Sequence, residues 1–335
     1  MKLTRIKLER FTAFKNLDLE LSPGINIFIG TNGTGKTHLL KVAYSACDIT
    51  RSEGNFAAKL VQVFQPYQKR VGRLVHRTRK STGAVAEIYR GSLRLRSSFS
   101  NHTVDPGSAK IAGKAKWVAR QIPCAYIPVK EMLAHAPGFR SLYASREIHF
   151  EEVYADIVDR AFLPVLRGPR GKTRNRLLTI LQAAIDGKVI SKEETFFLKN
   201  RQGELEFTLL AEGFRKLGLL WLLIQNGTMA EDSVLFWDEP ETNLNPEVLK
   251  TLVTILLELQ RMGVQVLLAT HNYVLLKEFD LMMEEDDDVR FHALFRNEKG
   301  VVQAHSTDEY LEVQPNKISD TYLNLYDRDV KRDLE

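Results

Sequence analysis

The sequence predicts an α/β fold. A mixed N-terminal sheet and a parallel core sheet would be flanked by helices, with a lobe of strands and then helices inserted between two blocks. Three observations carry this reading. The apolar run "INIFIG" passes into Gly-Thr-Asn-Gly-Thr-Gly-Lys-Thr and then into a helical pattern. From Leu209 onward, helical periods alternate with short apolar runs, as in parallel sheets buried on both faces. Two of those runs, "SVLFWDEP" and "VQVLLATH", end in a pair of acids and in a histidine.

Taken in order, "LTRIKLERF" and "LDLELS" alternate apolar and polar residues and predict two half-buried strands. Ser22-Pro23-Gly24 is a turn, "INIFIG" a buried strand, and Lys36 to about Cys47 the helix it feeds. Residues 50 to 120 read as short strands, "LVQVF", "GRLVHRT", "AVAEIYR" and "LRLRSSF", with a helix only near Phe56. "CAYIPVKE" is again a buried strand. Residues 150 to 186 are helical by period. Ile157, Phe162 and Val165, then Leu177, Ile180, Leu181 and Ile185, form the apolar faces on either side of a Pro164 and Gly-Pro-Arg-Gly break. "AEGFRKLGLLWLLIQNG" is a helix closed by Gly227, and Pro246 to Met262 a helix between the two late strands. A helix from about Asn272, a hairpin turning at Glu298-Lys299-Gly300 and an amphipathic helix over Asp320 to Asp329 complete the chain. No internal repeat or sustained heptad run interrupts this order.

Composition excludes several classes. The 335 residues are 44% hydrophobic and 27% charged, as in ordinary globular proteins. The apolar run Leu217 to Ile224 is too short to cross a bilayer, and the N-terminus lacks the apolar core of a signal peptide. Cys47 and Cys124 have no spacing partner and suggest buried thiols in a reducing compartment, so a cytoplasmic protein is expected. The net charge of +5 is unevenly spread: Lys69 to Arg120 holds 13 Lys/Arg against Glu87 and Asp105, while Lys277 to Asp288 holds seven acids. The basic segment reads either as a nucleic-acid face, through Arg73, Arg77, Arg79 and Arg94, or as the solvated side of an antiparallel sheet.

The chemistry concentrates in three places. Gly30, Thr31, Asn32, Gly33, Thr34, Gly35, Lys36 and Thr37 match G-x-x-x-x-G-K-[ST] between a strand and a helix, and His38 joins this nucleotide-binding set. Glycines let backbone N–H groups turn onto phosphates. The helix N-terminus adds positive potential, Lys36 neutralises the β/γ oxygens, and Thr37 can ligate Mg²⁺. "GPRGKT" (168–173) imitates the ending, but Leu166 stands where the first glycine belongs, so it reads as a basic loop. Asp238-Glu239 ends a buried strand: the first acid suits Mg²⁺ and the second can polarise an attacking water. His271 ends the next strand, at the edge where open α/β sheets bind ligands, and is expected to contact the γ-phosphate.

These motifs in this order resemble the ATP-binding-cassette (ABC) class of P-loop ATPases, within it the branch of RecF, the SMC proteins and OLD-type ATPases. "IKLERFTAFKNLDLELSPGINIFIGTNGTGKT" and "DEPETNLNP" carry the resemblance, which covers residues 1–48 and 205–297. It implies ATP and Mg²⁺ as cofactors, Glu239 as general base, Glu241 to Leu244 as the D-loop and His271 as the switch histidine. It also implies a head made of residues 1–48 and 205–335, with 49–204 as the inserted lobe. The family signature falls on Ala211-Glu212-Gly213, where Ser-x-Gly is usual; the missing hydroxyl implies slow hydrolysis, with Arg215 or Lys216 as compensating cations. A lobe-base glutamine is expected among Gln62, Gln65 and Gln121.

The resemblance implies a slow ATPase in which two copies sandwich ATP. The copies would clamp nucleic acid or gate a separately encoded effector such as a nuclease, in bacterial anti-phage defence. A RecF-like repair ATPase gripping duplex DNA is the alternative. A transporter ATPase is disfavoured by the absent Leu-Ser-Gly-Gly-Gln signature, and no membrane contact is expected.

Overall fold

The computed structural model describes residues 2–145, 148–167 and 171–334. The chain opens with β1 (Arg5–Phe11), β2 (Phe14–Glu20) and β3 (Ile25–Ile29), then α1 (Lys36–Ser52) and α2 (Phe56–Phe64). There follow β4 (Gly83–Arg90), β5 (Leu93–Ser100), β6 (Lys110–Ala112), α3 (Lys114–Val118) and β7 (Cys124–Ile127). Helices α4 (Ala136–Ala144), α5 (Glu152–Ala161) and α6 (Lys172–Ala184) lead to the hairpins β8 (Lys188–Lys192), β9 (Thr195–Asn200) and β10 (Gly203–Glu206). The closing block is α7 (Glu212–Gln225), β11 (Val234–Asp238), α8 (Pro246–Arg261), β12 (Gln265–Thr270), α9 (Tyr273–Met282), β13 (Val289–Arg296), β14 (Val302–Thr307) and α10 (Lys317–Leu334).

The strands form three sheets. The core sheet has the order β14-β13-β3-β12-β11-β7, parallel from β13 to β7 with β14 antiparallel on its edge. Its strands are apolar on both faces because both faces are covered. Ile25, Ile27, Ile29, Leu235 and Trp237 point into a core shared with α7, α8 and α9. Phe28, Val234, Phe236 and Leu267, the alternate residues, point into a second core shared with α1, α2 and the first sheet. That sheet is antiparallel, in the order β2-β1-β4-β5-β6.

Two sequence expectations change here. "LVQVF" is not a strand but the end of α2, which Asn55 caps by accepting from the N–H groups of Ala57 and Ala58. "GRLVHRT" is a 3-10 turn followed by a bridge between Val75 and Phe11. Within 49–204, moreover, β4 to β6 extend the N-terminal sheet and β7 joins the core sheet. The link is direct, since β4 pairs in register along β1. Of the basic imitation "GPRGKT", Gly168 to Arg170 lie outside the described residues, and Lys172 starts α6.

Candidate functional site

Parallel register brings the motifs together. Thr270 pairs with Ile29 and Asp238 with Ala269, so Gly30, Glu239 and His271 follow the tips of three adjacent strands at one sheet edge. Between β3 and α1 the chain turns on Gly33 and Gly35, both at positive φ. A Cβ on Gly35 would come within 2.5 Å of the Phe14 ring, so only glycine lets the loop pack there. Thr34 Oγ1 closes the loop onto the Thr31 carbonyl at 2.9 Å. Lys36 is buried, and its Nζ folds back to donate to Gly30 O at 2.6 Å. Burial lowers its pKa, against the pull of Glu239, Asp238 and Glu241.

Thr37 Oγ1 donates to Asp238 Oδ1 at 3.1 Å, and the Tyr126 hydroxyl reaches Oδ2 at 3.3 Å. Burial raises the Asp238 pKa. Two hard oxygen donors thus share one buried spot that favours an incoming positive charge, which fits Mg²⁺. Glu239 adopts φ +47°, a left-handed conformation that side chains resist, and its N–H donates to Ala269 O at 2.9 Å. Its carboxylate meets the Thr242 hydroxyl at 3.3 Å and His271 Nδ1 at 3.2 Å. Glu241 lies behind, accepting from Thr270 Oγ1 at 2.7 Å.

Ala211-Glu212-Gly213 leads into α7 and packs against Asn243 and Leu244. Gly213 packs so closely that a Cβ would meet the Asn243 carbonyl at 2.7 Å, and Glu212 accepts from Asn243 Nδ2 at 2.8 Å. Arg215 and Lys216 both have partners within the chain. Arg215 pairs with the buried Glu131 at 3.2 Å, and fully buried Lys216 donates to Thr242 O at 2.9 Å. No glutamine follows β7, whose tip lies beside Trp237; Glu131 fills that loop. Gln121 precedes the strand at its far end, while Gln62 and Gln65 lie on and after α2.

A cavity of about 590 Å³ adjoins the loop, lined by Thr12, His38, Phe64, His76, Arg77 and Arg296 among others. His38 lines this region, its Nδ1 is buried without a hydrogen-bond partner among the described residues, and burial pulls its pKa down to about 4. Arg73 also borders it, while Arg94 lies on β5, 3.6 Å from Glu87. The basic residues therefore divide between two places. Arg296, Thr12 and Glu131 escaped sequence reasoning, because each meets the site through pairing distant in sequence.

Fold and site together define an ABC-class ATPase of the RecF/SMC type. The chain belongs to the family described as "AAA domain, putative AbiEii toxin, Type IV TA system", whose model matches residues 86–277. A second AAA domain model matches residues 5–42. The DNA replication and repair protein RecF of Streptococcus suis (strain 05ZYH33) is 36% identical over 78 residues, 23% of this chain and 21% of RecF. RecF of Enterobacter sp. (strain 638) is 47% identical over 45 residues, 13% of each chain. These matches thus span about a fifth or less of the relatives' length. Among solved structures, an SMC head bound to the C-winged helix domain of ScpA aligns over 92% of this chain and 98% of that one. Its TM-score is 0.58 at 12% identity. An SMC head with an extended coiled coil, bound to the C-terminal domain of ScpA derived from Pyrococcus furiosus, covers 92% and 96% with TM-score 0.51 at 10% identity. At such identities the likeness concerns the fold.

Proposed function

We propose that the protein binds and slowly hydrolyses ATP, that two copies close around the nucleotide, and that closure controls a nucleic-acid-directed partner in anti-phage defence. The observation that carries this reading is the convergence of Lys36, Thr37, Asp238, Glu239 and His271 at one sheet edge. Thr37 and Asp238 would hold Mg²⁺, which when bound offsets the charge of the β- and γ-phosphates. Lys36 would exchange its loop carbonyls for phosphate oxygens, which supply the counter-charge its burial lacks. Glu239, held between Thr242 and His271, would take the proton of the attacking water. The nucleoside would lie in the cavity beside His38.

Ala211-Glu212-Gly213 would meet the γ-phosphate of the second copy through the N-terminus of α7. The family's description as a toxin of a toxin–antitoxin system supports the defence role and a separately encoded partner. The test is the Glu239→Gln variant with ATP. It should retain nucleotide, lose turnover and accumulate as a dimer in sedimentation, whereas unchanged hydrolysis would remove Glu239 as the base. A RecF-like role on duplex DNA is the second reading, favoured by the 36% identical stretch. DNA binding without any copurifying partner would support it.

A further inference from the structure

Arg296 ends β13, the strand that runs parallel to β3 on the side away from β12. Ala293 pairs with Ile29, so the residues after Ala293 run on beside the P-loop. A Cβ on Gly30 would come within 2.3 Å of the Leu294 carbonyl oxygen, which sets the loop directly against this strand. The Arg296 guanidinium then spans two carbonyls. Nη2 donates to Gly33 O at 2.7 Å, and Nη1 donates to Gly300 O at 2.8 Å. Gly300 belongs to the β13–β14 turn, which Asn297 fixes by accepting from the N–H groups of Lys299 and Val301, both at 3.0 Å. One arm of the fork is thus anchored in a rigid turn and the other grips the phosphate loop.

A trans peptide unit points its C=O and N–H in opposite directions. Fixing the Gly33 carbonyl outward, against Arg296, turns the Thr34 N–H toward the inside of the loop, where phosphates are bound. The loop's own side chains do not hold this unit. The Thr34 hydroxyl is engaged by Thr31 O, and Lys36 Nζ by the carbonyls of Gly30 and Thr31. Gly33 sits at φ +79°, and the one atom a Cβ there would approach within 4 Å is Arg296 Nη2 itself, at 3.9 Å, so no other packing fixes this unit. Among the described residues no carboxylate pairs with Arg296, so the contact is one of geometry. A guanidinium can bridge two carbonyls as a rigid fork, whereas a lysine ammonium offers a single point of charge.

We propose that Arg296 is a positioning residue of the nucleotide site: it holds the Gly33–Thr34 peptide so that the phosphate cradle exists before nucleotide arrives. The inference rests on the P-loop reading above. Its test uses the full chain with Arg296→Met, Arg296→Lys and, as a control, Lys36→Ala. Affinities are measured for MgATP and for inorganic tripolyphosphate. Arg296→Met should weaken both by the same factor, about tenfold for a lost charge-assisted hydrogen bond. In turnover the loss should appear in KM and not in kcat. Arg296→Lys should recover part of the affinity by keeping the bond to Gly33 O.

Wild-type affinity in Arg296→Met would overturn the inference. So would a loss seen with ATP alone, which would mean that the side chain reads the nucleoside. If Lys36→Ala binds ATP normally, the P-loop reading itself falls. If Lys36→Ala fails to bind while Arg296→Met binds normally, only the role of Arg296 is lost.

Discussion

The Thr37 hydroxyl donates to Asp238 Oδ1 at 3.1 Å, across 201 residues of sequence. This bond joins the helix after the P-loop to the tip of β11 and places the two oxygens a metal would need on one spot. Burial already raises the Asp238 pKa, so a neutral amide at this position removes charge that only a cation would otherwise offset. Asp238→Asn should therefore leave the fold intact and abolish the Mg²⁺ dependence of ATP binding. Titrating Mg²⁺ at fixed ATP checks this; an unchanged metal response would place the cation elsewhere.

Lys216 is expected to act on Glu239 at one remove. Its ammonium, fully buried in α7, donates to the Thr242 carbonyl, and the Thr242 hydroxyl donates to Glu239. Desolvation lowers the Lys216 pKa, with Glu212, Glu241 and Glu239 opposing it. Lys216→Met keeps the stem and removes the donor. Turnover should fall on the order of tenfold, the loss of one hydrogen bond to a charged group, with ATP affinity unchanged. Steady-state kinetics with a separate binding isotherm would show whether the loss lies in kcat.

The parts of this site visible in the sequence are those whose signal is local. Gly30 to Thr37 is contiguous, and Asp238 and His271 each end an apolar run whose composition betrays a buried strand. The segment Phe56–Phe64 misleads because "LVQVF" is a short, mostly apolar run with two β-branched valines; its decisive signal is the preceding Asn55 cap. Glu131 and Arg296 could not be assigned, and Lys216 could not be set against Thr242, since their partners lie 26 to 263 residues away and depend on strand order. The same reason explains the glutamine expectation: only the pairing of β7 with β11 shows which loop borders the site.

The basic residues should separate by function. Arg73 and Arg77 are exposed beside the cavity that adjoins the P-loop, whereas Arg94 already faces Glu87. If the loop carrying Arg73, Arg77 and Arg79 contacts a nucleic-acid backbone, each glutamine substitution there should lower the salt slope of binding by about one. Arg94→Gln should change it little. Equal effects at all four positions would extend the contact onto the β4–β5 face.

Stability should fall in mild acid because two histidines, buried His292 and half-buried His38, stay neutral in the fold. His292 lies against Asn26 Oδ1 at 3.2 Å and Ser306 Oγ at 2.8 Å, and burial lowers its pKa to about 3. His38 is lowered by burial, and then by Lys41, to about 4. In the unfolded chain both would titrate near 6.5. The sign follows from linkage: below pH 6.5 the unfolded state takes up protons that the folded state refuses, so stability falls with pH until the folded pKa values are reached. Replacing His292 by glutamine removes the largest of these shifts, on the order of 3 kcal/mol between neutral pH and pH 4. The variant should melt lower at pH 7, where the native hydrogen bonds are lost, yet lose less stability than the parent on acidification. A parallel fall of melting temperature in both proteins would show that carboxylate protonation, not His292, governs the acid limb.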